Sequence, residues 1–242
     1  MTTRSRQVDG VNRTKRMNTT TPTTDPSIGR RAWREVGRAA RVSVWIVVGL
    51  AAWRGANCVL GANDGTVFPD KAYRSGQLSA DELREAVAVR GVRSVVNLRG
   101  ENDTAWYREE AAACRAAGVP LFDIAMSARE LPKPEAALEL ARVLRDAPRP
   151  MLIHCKNGAN RTGLAATIYL IECEGMPPDD AQRRGLTLWH GHIPLGQTGA
   201  INRFLEMFKE QARGKSLERW LQEDYPGLYA DATGSRRAPA RP

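Results

Sequence analysis

The run His154-Cys155-Lys156-Asn157-Gly158-Ala159-Asn160-Arg161-Thr162-Gly163 places a cysteine and an arginine six positions apart. A thiolate is a nucleophile, and a guanidinium grips two oxygens of a tetrahedral anion through its planar fork. Together they suit attack of sulfur on the phosphorus of a phosphomonoester. The flanking residues say how such a pair is presented. Pro150 to Ile153 is a short apolar run that reads as a buried strand, and Thr162 to Cys173 carries Leu164, Ile168 and Ile171 at helical spacing. The loop between them therefore opens a helix, where backbone N–H groups lack intrahelical partners and the dipole is positive, so a phosphate dianion fits there. The same setting favours the thiolate, since a free cysteine pKa of about 8.5 falls to roughly 3.5–7.5 beside helix N-termini and cations.

Positioning such a loop requires a scaffold, and the chain upstream supplies alternating elements. Ser79 with Glu82 forms a capping box ahead of a helix that ends at Gly91, and Val92 to Leu98 follows as a strand. The pattern then predicts a helix over 103–117, a strand over 119–125, a helix over 134–146 and the strand 151–154 that delivers the cysteine. Further helices are expected near 178–188, 198–212, 216–223 and 225–230. Alternation of this kind implies an α/β domain with a mainly parallel central sheet flanked by helices, its ligand at the carboxyl ends of the strands.

The segment at 154–163 resembles the signature of the protein tyrosine and dual-specificity phosphatases: His-Cys, five residues, Arg, then Thr or Ser, with Gly158 at the family's glycine position. Tyr-Arg-Ser-Gly-Gln at 73–77, Val-Asn-Leu-Arg-Gly-Glu at 96–101 and Gly191-His192-Ile-Pro extend the likeness to a bacterial dual-specificity-type subgroup over roughly residues 66–225. The resemblance implies the cysteine-phosphatase fold and a phosphocysteine intermediate, with Cys155 as nucleophile, Arg161 on the phosphate oxygens and Thr162 assisting departure of the sulfur. It implies that His154, Lys156, Asn157, Gly158, Ala159, Asn160 and Gly163 build the substrate-binding loop, with the His154 ring stabilising it. For the general acid it points to Asp123, which lies 32 residues before Cys155, with Glu130 second. Some relatives place an aspartate just before the loop arginine; Asn160 stands there and an amide does not donate a proton as an acid does. Gln197 is at a position comparable to a glutamine that orients water in tyrosine phosphatases, or it is a helix cap. Arg74 and Arg99, at expected strand ends, either approach the phosphate or are solvated charges.

The net charge of +9 is concentrated in the head: residues 1–41 hold ten Lys/Arg against Asp9, Asp25 and Glu35, so the remainder is nearly neutral and a nucleic-acid-binding face is not expected. Four parts follow: a disordered basic head (1–29), a basic flank with a hydrophobic anchor helix (30–62), a phosphatase domain (63–230) and a disordered tail (231–242). Val42 to Trp53 is apolar or small throughout; extended to Ala62 the stretch has 21 residues with one arginine, Arg54. That length suits a single-pass anchor through residues 42–62 with Trp45 and Trp53 at the boundaries, which the subgroup's common N-terminal anchor also implies. A cleaved signal or a cytoplasmic amphipathic helix are the alternatives. The arginines on one side orient the domain outwards from an inner membrane, whereas a free catalytic thiol fits the cytoplasm better.

Cys58, Cys114, Cys155 and Cys173 show neither CxxC spacing nor a disulfide framework, so the three besides Cys155 read as buried filler. His190 and His192 lack a third metal ligand of suitable spacing, and no cofactor is implied. The expected function is a phosphoprotein phosphatase of the tyrosine or dual-specificity type, its partner a phosphorylated protein or another phosphomonoester. The alternatives are a phosphoinositide or inositol phosphate phosphatase, which Lys156 would suit, and a catalytically weak phospho-binding module. A rhodanese-type sulfur carrier also has a cysteine at a helix N-terminus, but its loop is usually shorter.

Overall fold

The computed structural model describes residues 40–53, 55–56, 63–193 and 199–235. The chain divides into two compact units, residues 1–49 and 50–242. Residues 40–53 form helix α1, on which Val42, Trp45, Ile46 and Trp53 are all exposed. Among the described residues no helix is long and apolar enough to cross a membrane. Residue 54 and residues 57–62, which complete the expected anchor, and the head of residues 1–29 lie outside the described residues, as do Cys58, Gln197 and most of the tail.

Five strands build the sheet: β1 (Gly65–Phe68), β2 (Ala72–Ser75), β3 (Ser94–Asn97), β4 (Leu121–Asp123) and β5 (Met151–His154). Their order is β1-β2-β5-β3-β4, with β1 antiparallel to β2 and every other pair parallel. The mainly parallel α/β sheet expected from the alternation is therefore present, with an antiparallel edge that the pattern did not signal. The connecting helices are α2 (Ala80–Arg90), α3 (Ala105–Ala117), α4 (Pro134–Asp146) and α5 (Asn160–Glu172). Then come α6 (Pro178–Gly185), a 3₁₀ turn at Leu188–His190, α7 (Gly199–Gln211), α8 (Leu217–Glu223) and α9 (Tyr225–Thr233). Helix α2 starts as its sequence dictates: Ser79 accepts from the Glu82 N–H while the Glu82 carboxylate takes the Ser79 N–H, and Gly91 closes it in the left-handed conformation.

The period-2 alternation of β5 divides the core. Met151 and Ile153 face a large cluster with α4, α5, α7 and α8, whereas Leu152 packs with Leu83, Val95, Ala113 and Cys114 on the α2–α3 side. His154 shares the Leu152 face, and Cys155 returns to the α5 side. Helix α5 is buried on nearly all sides, and each of Leu164, Ile168 and Leu170 contributes about 1.5–3 kcal/mol by leaving water. Phe204, Phe208, Trp220 and Tyr225 form edge-on and tilted aromatic pairs around α8. The Tyr225 hydroxyl donates to the Pro132 carbonyl at 2.6 Å, which ties the C-terminal helices to the loop after β4.

Candidate active site

The loop 155–159 joins β5 to α5 at the carboxyl end of the sheet, and its carbonyls are pinned from outside. The Gln77 N–H donates to the Lys156 carbonyl at 3.1 Å, Asn63 Nδ2 to the Asn157 carbonyl at 2.9 Å, and Arg74 Nη2 to the carbonyls of Gly158 and Ala159 at 2.7 and 3.5 Å. In a trans peptide the N–H points opposite to the preceding C=O. Four outward carbonyls therefore turn the N–H groups of residues 157–160 into the loop, where the N-terminus of α5 adds its own donors. This is a cradle for a tetrahedral anion. Gly158 is required in it: its φ is +66°, and a Cβ there would stand 2.8 Å from the backbone of Ser75 and Gly76.

Cys155 lies at the floor of this cradle, almost fully buried. Burial pushes its thiol pKa up, but the Arg161 charge, the Thr162 hydroxyl and the N–H groups of Thr162 and Asn157 outweigh it, and the net shift is downward. The contrast with the other described cysteines is direct. Burial drives Cys114 up to about 12 and raises Cys173 as well, so only Cys155 is held towards the thiolate. Both are packed in or against the core, as apolar filler would be.

Arg161 donates through Nη1 to the carbonyls of Leu98 and Met126 at 3.2 and 3.3 Å, which fixes the guanidinium beside Cys155, while its buried Nε has no protein partner. The Thr162 hydroxyl is buried with no oxygen or nitrogen partner and stands against the sulfur. Lys156 is exposed at the loop's outer edge. The Asn160 amide oxygen pairs with His192 Nδ1 at 2.9 Å, and His190 Nδ1 with the Thr187 hydroxyl at 2.8 Å. Burial first, and then the Arg74 charge, hold His192 below the usual histidine pKa, against the opposing effect of Asn202.

Three expected placements change. The Gly163 N–H is spent inside the helix on the Ala159 carbonyl, and its α-carbon is turned to α6, where a Cβ would meet Leu186 at 2.6 Å. It is a packing residue and not part of the cradle. The His154 ring lies on the α3 face, its Nε2 2.9 Å from Glu110 Oε1, away from the anion side of the loop. Arg74, which the sequence left between phosphate contact and solvated charge, is neither: it is buried and also donates to the Gly185 carbonyl at 2.7 Å.

Asp123 stands at the end of β4, two strands from β5 and so roughly 10 Å away along the sheet. Both its oxygens are occupied: Asn97 Nδ2 donates to Oδ1 and the Tyr107 hydroxyl to Oδ2, each at 2.7 Å. Burial and this hydrogen bond push Tyr107 upward, so Tyr107 remains a donor. Glu130 is exposed on the loop that follows Met126.

Sequence reasoning missed Asn63, Gln77 as a loop partner, and Glu110. Only the Tyr-Arg-Ser-Gly-Gln segment at 73–77 carried a signal for any of them.

A 35% identical stretch of 86 residues aligns with the dual specificity protein phosphatase TpbA of Pseudomonas aeruginosa (strain UCBPP-PA14). It covers 35% of this chain and only 36% of that protein's length. Among solved structures, the core catalytic domain of the PP-IP phosphatase SIW14 of S. cerevisiae is 19% identical with a TM-score of 0.49, covering 68% of this chain and 93% of its own. The P. aeruginosa TpbA structure is 24% identical with a TM-score of 0.47, covering 60% and 84%. The family model described as "DSP-PTPase phosphatase fused to NAD+ Kinase" matches residues 49–183, more than half of the chain. By that match the chain belongs to the DSP-PTPase phosphatase family.

Proposed function

We propose that this domain hydrolyses phosphomonoesters carried on proteins, of the tyrosine or dual-specificity type, through a phosphocysteine on Cys155. The carrying observation is the cradle itself: four loop carbonyls held outwards, with a thiol at the floor shifted towards its anion. In the first step the Cys155 thiolate attacks phosphorus, the S–P bond forms and the P–O bond to the leaving group breaks. The inward N–H groups and Arg161 neutralise charge on the equatorial oxygens. In the second step water attacks phosphorus and the sulfur leaves as a thiolate, stabilised by a hydrogen bond from the Thr162 hydroxyl. The name of the curated relative supports a protein substrate. An inositol phosphate or phosphoinositide is the second reading, supported by Arg161, Arg99 and exposed Lys156 gathered at one end of the sheet.

The thiol leads to a chemical prediction. Iodoacetamide at pH 6 is expected to label Cys155 and to leave Cys114 and Cys173 unmodified, because thiolate is the reacting form. Peptide mass mapping checks this, and labelling of Cys155 only above pH 8 would contradict it.

The proton donor to the leaving group is a carboxylate from the β4 end or the loop after it. Both Asp123 oxygens are taken by Asn97 and Tyr107, so neither is turned towards a leaving group at Cys155, and a general acid needs hydrogen-bond reach of that group. Glu130 is the carboxylate free of that constraint. Glu130→Gln is expected to lower turnover of a phosphotyrosine peptide about 10²-fold or more, with a smaller loss on aryl phosphates whose leaving groups need no proton. Asp123→Asn is expected to act on stability instead. If Asp123→Asn, and not Glu130→Gln, removes the alkaline fall of the pH–rate profile, Asp123 is the acid.

Attachment to a membrane through residues 42–62 is part of the same reading, supported by the exposed Val42, Trp45, Ile46 and Trp53 of α1. Replacing these four by serine is expected to move the full chain from the membrane pellet to the supernatant; an unchanged distribution would contradict it.

A further inference from the structure

Arg99 comes just after β3, next to Leu98, whose N–H donates to the His154 carbonyl and whose carbonyl holds Arg161. On the other side of β5 stands β2, and Gln77 follows it with its N–H on the Lys156 carbonyl. The hydrogen bond from Arg99 Nη1 to Gln77 Oε1, at 2.9 Å, therefore crosses the carboxyl end of β5 where the cysteine loop begins. Gln77 is fixed in turn, its Nε2 donating to Glu110 Oε1 at 3.1 Å. The Arg99 guanidinium lies 3.5 Å from the centre of the Trp106 ring, so the fork has both a rim contact and a flat face under it.

The direct partners of Arg99 and Arg161 are neutral: an amide oxygen and an indole for one, two backbone carbonyls for the other. Among the described residues no carboxylate touches either guanidinium; Glu110 acts on Arg99 from behind Gln77. Burial first, and then Arg161, pull the Arg99 pKa down, while the Cys155 and Glu110 charges oppose them without reversing the shift. Like charges fixed together in a partly buried site are unfavourable until anions join them. One phosphate dianion is matched by Arg161 and the loop N–H groups; Arg99, one residue after the Leu98 whose carbonyl holds Arg161, brings a second fork to the same carboxyl end of the sheet. We propose that Arg99, set by Trp106 and the Gln77–Glu110 pair, forms a second anion subsite that takes a second phosphate adjoining the one hydrolysed, as in a diphosphate or a vicinal bisphosphate.

This rests on the phosphatase reading, and the experiment separates the two. In the full chain carrying Cys155→Ser, calorimetric titration compares orthophosphate with pyrophosphate. Adding Arg99→Gln is expected to weaken pyrophosphate about 10- to 100-fold, and to weaken it at least tenfold more than orthophosphate, as loss of a charge-assisted hydrogen bond implies. Arg99→Lys, which keeps the charge without the fork, falls between. Equal losses for both anions, or no loss, would overturn the subsite. In the turnover arm, the otherwise unaltered enzyme acts on a polyol monophosphate and its vicinal bisphosphate, free in solution and as a lipid headgroup in vesicles. A preference for the bisphosphate in either form, lowered by Arg99→Gln through KM, supports the subsite and names its source. An enzyme active on aryl phosphates but without that preference removes the subsite alone. A chain that neither binds orthophosphate nor hydrolyses aryl phosphates removes both.

Discussion

Cys155→Ser is expected to lower hydrolysis of an aryl phosphate by at least about 10⁴-fold while leaving the fold and phosphate binding in place. The serine hydroxyl has the right position but ionises far above neutral pH, so the loop's N–H groups and Arg161, which stabilise a thiolate, have too little to act on. Everything that holds the anion lies outside the side chain: Gln77, Asn63 and Arg74 still turn the carbonyls of residues 156–159 outwards. Removal of a negative charge from the cradle floor should even tighten phosphate binding. A continuous assay with the wild type beside the variant, together with orthophosphate titration of the variant, checks both halves. Substantial residual turnover would mean that another group attacks phosphorus.

The second large effect is expected at a residue that touches no substrate. Arg74→Met keeps much of the apolar stem of Arg74 and removes the guanidinium that donates to the Gly158 and Gly185 carbonyls, both at 2.7 Å. Each charge-assisted bond contributes about 1.5–3 kcal/mol, and the carbonyls left behind are buried. A loss of about 3–6 kcal/mol in unfolding free energy follows by adding the two, measured by urea denaturation. Because the lost bonds also set the peptide planes at residues 158–160, kcat is expected to fall about 10²-fold or more even at temperatures where the variant is folded. A variant with lowered stability and unaltered kcat would show that Arg74 braces the fold but not the cradle.

The loop and its arginine are legible in sequence because the residues are consecutive: a cysteine, a glycine and an arginine at fixed spacing, followed by a helix, carry their own geometry. The braces are not. Asn63 and Arg74 reach the loop from 94 and 84 residues away, and no local period marks them. Arg74 reads as a surface charge because burial of a guanidinium is rare; it is tolerated where its donors meet carbonyls. Strand β1 and its antiparallel pairing escaped for a related reason: β1 and β2 have four residues each, and the register slips between Thr66 and Phe68, so no alternation marks the pair. The predicted strand over 92–98 narrows to Ser94–Asn97 and that over 119–125 to Leu121–Asp123, although the Leu98 and Ile124 N–H groups just beyond the strands still donate to the His154 and Asn97 carbonyls. Sequence separation singles out Asp123 but says nothing of Asn97 and Tyr107, which close on both its oxygens.

The measurement that tests the mechanism most directly is rapid acid quench of the wild-type full chain during turnover of a phosphotyrosine peptide, followed by mass analysis of the peptide bearing Cys155. The expected result is one added phosphoryl group on Cys155, formed and lost on the timescale of turnover and accumulating further in Thr162→Ala, where departure of the sulfur is slowed. Sustained turnover with Cys155 never phosphorylated would contradict the phosphocysteine route.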